Sequence, residues 1–165
     1  MNDQREHSCC FLCSGDIMES PGLLELMRAQ TEGAVRDGYT RFYNGFDRGL
    51  DLTYAAIVLM LRANHPDIRL VSVLAHEEQA ARWSFSDHDL CYALLEQCDE
   101  EVMLQARYSH GCYLRRDRYM AERSSLVLSV YAAQPSDIMR SLNYARETGA
   151  RVLCVDPIKL AAYEL

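Results

Sequence analysis

The sequence predicts an α/β fold: a doubly wound, mostly parallel sheet with helices on both faces, in three layers. Two observations carry this. Short apolar runs of strand length alternate with longer stretches of helical period along the whole chain, as repeated strand-helix-strand units require. Most of the short runs are also continuously apolar, as parallel strands covered on both faces are.

In chain order, CCFLC (9–13) is the first strand, after a short polar leader over 1–7, and a helix follows over 21–37. TRFY (40–43) is the second strand. The turn NGFDRGLD then opens a helix over 50–63, where Asp51 favours the N-terminus. This helix carries two apolar stripes, Leu52, Ala55, Ala56, Leu59, Met60 and Tyr54, Ile57, Val58, Leu61. A helix covering a sheet needs one, so the second stripe predicts a homodimer or larger homo-oligomer. IRLVSVLA (68–75) is the third strand, 87–97 a helix, EVMLQA (101–106) the fourth strand and 114–123 a helix. LVLSVYA (126–132) follows. A helix over 136–148 then opens with Ser136 as N-cap and Asp137 as first-turn acid, and RVLCVD (151–156) is the last strand. With no linker or repeat between these elements, one domain over 1–165 is expected.

Composition narrows the function classes. No segment approaches the roughly 20 apolar residues that span a bilayer, and the opening MNDQREHS is not a secretory signal. A cytoplasmic protein with no membrane partner is expected. The seven cysteines, odd in number and set in apolar segments, read as reduced core thiols. Cys10 and Cys13 have C-x-x-C spacing beside His7, but on a strand they point to opposite faces and cannot share a metal; no metal or cofactor is expected. The net charge of −7 argues against general nucleic-acid binding. Lys159 is the only lysine among 17 basic residues, and arginine is the better fork for phosphate or carboxylate.

Doubly wound sheets bind ligands outside the carboxyl ends of their strands, which directs attention to the loops 14–20, 44–49, 76–86, 107–113 and 133–136. In the second of these, Gly45 and Gly49 let a ligand approach the backbone, and Arg48 adds charge at a helix start. The same residues also suit a plain tight turn with Arg48 paired to Asp47 in solvent. Trp83, the only tryptophan, is placed either to stack on a base or to cap the core. The arginines of RRDRYMAER form either a solvated face or part of a pocket. Neither His76 with Glu77 and Glu78 nor Cys112 beside His110 comes with a third orienting group, so no catalytic residue is assigned.

From residue 40 onward the chain resembles a known family. FYNGFDRGLDLTYAAIVLML, HPDIRLVSVLAHEEQAARWS, YSHGCYLRRDRYMAERSSLVLSVY and NYARETGARVLCVDP are similar, in order and spacing, to the YpsA-like family of the SLOG superfamily, Rossmann-like domains related to DprA and to lysine-decarboxylase-like nucleotide hydrolases. The resemblance implies that Gly45, Gly49 and Asp51 form the glycine-rich turn, and that Gln79 and Trp83 follow the third strand. It also places Tyr108, Gly111, Cys112, Arg116, Asp117, Arg118, Tyr119 and Met120 in a family segment, with Asp117 replacing an Asn. It implies a pocket for a nucleotide or nucleotide-derived ligand at the C-terminal edge of the sheet.

The chain departs from the family at two phosphate loops. LCSGD stands in place of Thr-Gly-His-Arg-Pro, and AQPSD in place of Gly-Gly-Thr, so that Asp16 and Asp137 face an incoming phosphate. The leading expectation is a non-catalytic binding or sensing module for a nucleotide-derived small molecule. Gly45, Arg48, Gly49 and Asp51 would form one wall, Gln79 and Trp83 a lid, Arg116 and Arg118 an anion clamp, and Ser136 a further contact at the last helix. The alternatives are a nucleotide-processing hydrolase and a protein-interaction scaffold that has lost its ligand.

Overall fold

The computed structural model describes residues 2–14 and 17–165; Asp16, placed above at the first phosphate loop, lies outside them. Six strands, β1 (Ser8–Phe11), β2 (Arg41–Asn44), β3 (Arg69–Leu74), β4 (Glu100–Met103), β5 (Leu126–Val130) and β6 (Arg151–Asp156), run parallel, and β7 (Ala161–Glu164) pairs antiparallel with β6. The spatial order is β4-β3-β2-β1-β5-β6-β7. The chain moves outward from β1 to β4 and then returns to lay β5 on the other side of β1, so the order reverses between β1 and β5.

The helices are α1 (Asn2–Glu6), α2 (Pro21–Arg36), α3 (Leu50–Arg62), α4 (Phe85–Leu95), α5 (Cys112–Glu122) and α6 (Ile138–Glu147). Strand alternation divides the core in two. Cys9 and Phe11 of β1 face Leu23, Met27, Tyr54 and Leu94 of α2, α3 and α4; Cys10 faces Met120, Leu142 and Ala145 of α5 and α6. This is the three-layer arrangement that the continuous apolar runs predict, and Cys10 and Cys13 do lie on opposite faces. Phe11 stacks on Tyr54 at 4.2 Å between ring centroids, and the Tyr54 hydroxyl donates to Gln30 at 2.7 Å.

Local chemistry sets the helix starts. Pro21 opens α2 and Ser20 caps it, accepting from the Leu23 amide at 3.2 Å; Ser84 caps α4 in the same way. The two stripes of α3 are buried within the chain, between the sheet and its neighbours α2 and α4, with only Ala56 and Met60 of those residues exposed. The second stripe therefore needs no second copy to cover it, and the reason for expecting an oligomer falls away. Two elements escape the sequence pattern. The polar leader forms α1, from which Arg5 donates to the carbonyls of Glu122 and Thr148 at the ends of α5 and α6. β7 is set up by a turn in which the Asp156 carboxylate accepts from the amides of Ile158 and Lys159.

Candidate functional site

The turn after β2 is built from inside the protein. The Asn44 side chain accepts from the Phe46 amide at 2.8 Å and donates to the Asp51 carbonyl at 2.7 Å, closing the loop onto the first turn of α3. Gly49 precedes that helix at φ +90°, a conformation that favours glycine. Gln79, from the loop after β3, braces the turn. Its amide nitrogen donates to the carbonyls of Gly45 and Phe46, each at 3.0 Å, while its oxygen accepts from the Ala75 amide.

Arg116 of α5 lies beneath the turn. It is buried and donates to the Gly45 carbonyl at 3.2 Å, to Asp47 at 2.7 Å and to Asp117 at 3.0 Å. A Cβ on Gly45 would stand 2.7 Å from the centre of the guanidinium. The glycine is thus required by the arginine packed against it, whatever ligand lies outside. Burial works against the charge of Arg116, and the carboxylates of Asp47 and Asp117 more than offset it. Asp117 also accepts from the Ser141 hydroxyl at 2.7 Å, and burial pushes its pKa up. Asp51 is buried with one carboxylate oxygen accepting from the Asp47 amide and the other without a partner among the described residues. Burial, reinforced by the Asp47 charge, raises its pKa to about 8.

Two clefts open at this C-terminal edge. One, of about 570 Å³, lies where the strand order reverses. It is bordered by Cys13 and Ser14 after β1, Asp47 after β2, and the starts of α5 and α6, which bring Tyr108, His110, Tyr113, Asp137 and Arg140. Neither helix start has a side-chain cap among the described residues. The other cleft, of about 360 Å³, is bordered by His76, Gln79, Arg82, Trp83, Tyr108 and Tyr113. Tyr108 and Tyr113 stand between the two and border both.

The sequence-predicted residues divide accordingly. Gly45, Gly49, Asp51, Gln79 and Arg116 come together as the braced turn. Trp83 packs on the core and also borders the aromatic cleft. Arg48 is exposed and does not pair with Asp47, which Arg116 takes instead. Arg118 points away, over the ring of Tyr144 at 4.9 Å. It cannot form a clamp with Arg116, because residues two apart on a helix face different ways. Ser136 is exposed and is not the cap of α6; Asp137 occupies that position. Sequence reasoning did not select Asp47, Tyr113 or Arg140. Asp47 was legible only as the presumed partner of Arg48, and Arg140 carried no signal. Among the described residues no group of three or more His, Cys, Asp or Glu could hold a metal, and no helix is long and apolar enough to cross a membrane.

Comparison with known proteins places this geometry. The uncharacterised SPbeta prophage-derived protein YoqJ of Bacillus subtilis (strain 168) is 25% identical over 148 residues, covering 79% of this chain and 86% of that protein. Two solved structures of DNA processing protein A share the fold. The one from Helicobacter pylori, described with its single-stranded DNA binding mode, has a TM-score of 0.65 at 13% identity. The one from Streptococcus pneumoniae has 0.64 at 12%. Each match covers 93% of this chain, which spans 66% and 51% of those two chains. The expectation that an acidic chain is not built for nucleic acid is corrected by these neighbours. The same fold occurs in a protein described by its single-stranded DNA binding, and net charge summed over a whole chain does not decide what one edge of a sheet accepts. The model of the YpsA family, described as the YspA SLOG family, matches residues 21–151, so the chain belongs to that family.

Proposed function

We propose that the chain is a non-catalytic binding or sensing module for a nucleotide-derived small molecule of low negative charge, held in the cleft where the strand order reverses. The position of that cleft supports this most strongly. It opens outside the carboxyl ends of the strands, where doubly wound sheets take ligands, and two helix starts without a side-chain cap among the described residues border it. The positive ends of their dipoles suit a hydrogen-bond acceptor or an anion, while the amides of Cys112, Met139 and Arg140 already donate to the carbonyls of Ser109, Ser136 and Asp137. The family and its neighbours supply a nucleotide-related binding fold.

The carboxylates limit the charge of the ligand. Asp47 and Asp137 share the cleft with Arg140, and Arg116 is already neutralised by Asp47 and Asp117. Little cationic charge is left for a triphosphate, so a nucleoside or monophosphate suits the balance better. In this reading the turn from Gly45 through Arg48 to Gly49, with Asp51 beneath, backs the cleft and reaches it through Asp47. Gln79 and Trp83 border the adjoining cleft, and Arg116 holds the turn while also lining the strand-reversal cleft. A single-stranded nucleic acid is the second reading, favoured by the Helicobacter pylori neighbour. The same edge would then hold one or two nucleotides of a strand.

Thermal unfolding in the presence of adenosine, AMP, ATP, ADP-ribose and a short oligothymidylate separates these readings. A ligand at a hundredfold excess over its Kd adds about 2.7 kcal/mol. Stronger stabilisation by adenosine or AMP than by ATP supports the small-molecule reading, and a response to the oligothymidylate alone supports the second. No response overturns both.

A further inference from the structure

Resting on that reading, we propose that the aromatic cleft beside the braced turn is a nucleobase seat, in which Tyr108 is a stacking face held in place by Arg115 and His76 meets the polar edge of the base. Tyr108 is 63% exposed, yet its loop is pinned on both sides. The Gln105 side chain donates to the Arg107 carbonyl at 2.6 Å and to the Ser109 hydroxyl at 2.8 Å. Arg115 donates to Gln105 at 3.0 Å, to the Ser109 hydroxyl at 2.6 Å and to the His110 carbonyl at 3.3 Å. None of these bonds reaches the core. Their effect is to present one exposed aromatic ring from a fixed loop, which is how a binding surface lowers the ordering cost of association.

The other walls suit a flat heteroaromatic ring. Trp83 borders the same cleft, and Tyr113 stands 6.5 Å from Tyr108 between ring centroids. Indole and phenol faces stack on bases of any sequence. The floor supplies an independent sign of a missing partner. His76 is 6% exposed; its Nε2 lies 3.2 Å from the Tyr113 hydroxyl, and its Nδ1 is buried with no hydrogen-bond partner among the described residues. Buried polar atoms of this kind are seldom left unpaired. Tyr108 packs edge-on against the imidazole at 5.7 Å, so a small shift of Tyr108 onto an incoming base opens the imidazole to the hydrogen-bonding edge of that base. Because Tyr108 and Tyr113 border both clefts, a base seated here directs its sugar and any phosphate toward the cleft at the strand reversal.

Fluorescence titration of Trp83, the only tryptophan, tests this with adenosine, guanosine, cytidine and uridine, their 5′-monophosphates, and a short oligothymidylate. At least one nucleoside or monophosphate is expected to change the emission saturably in the wild type. Tyr108→Ala and Arg115→Ala should each weaken that binding about tenfold or more, and Tyr108→Phe should retain it. Arg115→Ala should add nothing in a Tyr108→Ala background, since it acts through that ring. His76→Phe should level the preference among the four bases. The same Tyr108 dependence seen only with the oligothymidylate supports the base seat and assigns the base to a single strand. If nucleosides stabilise the protein while Trp83 is silent, or if Tyr108→Ala and Arg115→Ala bind like wild type, the base lies elsewhere: this inference fails and the strand-reversal cleft stands. If no probe binds the wild type by either readout, both fail.

Discussion

Removing Arg116 tests whether this residue is a brace or a ligand contact. In Arg116→Ala, Asp117 loses its only cationic partner among the described residues while remaining buried, and breaking such a pair by removing one side costs about 3–5 kcal/mol. The Gly45 carbonyl keeps its bond from Gln79, so its loss is at most about 1 kcal/mol. The Asp47 pair adds little, because that carboxylate is one-third exposed and rehydrates. The total is a loss of about 3–6 kcal/mol at pH 7. The loss depends on pH. Burial raises Asp117 above its unfolded pKa and Arg116 holds it down, so without Arg116 it rises further. A carboxyl with a raised folded pKa contributes its full stability below its unfolded value and loses it as pH climbs toward the folded value. The variant is therefore least stable above neutrality and recovers toward pH 4, and Asp117→Asn added to Arg116→Ala restores much of the loss. Urea unfolding at pH 5 and pH 8 measures both quantities. A loss below about 1 kcal/mol, independent of pH, would refute the reasoning.

Three further perturbations bear on the same site. Asp51→Asn removes a buried carboxyl with its pKa at about 8. Wild type should lose up to about 1.4 kcal/mol per pH unit from this group between pH 4 and pH 8, and the variant should show a correspondingly flatter urea-midpoint profile. Gly45→Ala places a methyl 2.7 Å from the Arg116 guanidinium and should cost about 1–3 kcal/mol by chemical denaturation; Arg116→Ala in the same chain should relieve part of it. Arg118→Ala loses only an exposed contact over Tyr144, so stability should change by no more than about 1 kcal/mol and nucleotide affinity by calorimetry should be unchanged.

The alternation of strands and helices was legible because it is local. Continuous apolar runs such as LVLSV and the longer amphipathic stretches between them need no knowledge of their neighbours. β7 was not legible, since AAYE is four residues long and gains its place only from the Asp156 turn and its pairing with β6. α1 is five polar residues that hold through Arg5 contacts more than a hundred positions away. The site was read in part. Gly45 and Gly49 were found as special positions, but the reason for Gly45 is an arginine 71 residues distant, which no local pattern carries. Arg116 and Arg118 were paired as a clamp although their spacing of two already sets them on different faces of α5. The second stripe of α3 was read as an interface because sequence alone does not count how many neighbours a helix has.

The central claim, a cleft suited to a nucleotide-derived ligand of low charge, is tested most directly by titration calorimetry of AMP and ATP into wild type and Asp137→Asn. The account predicts that wild type binds AMP more tightly than ATP, and that Asp137→Asn, with one fewer carboxylate beside the cleft, narrows or reverses the preference. Tightest binding of ATP by wild type, with no change in the variant, would contradict it.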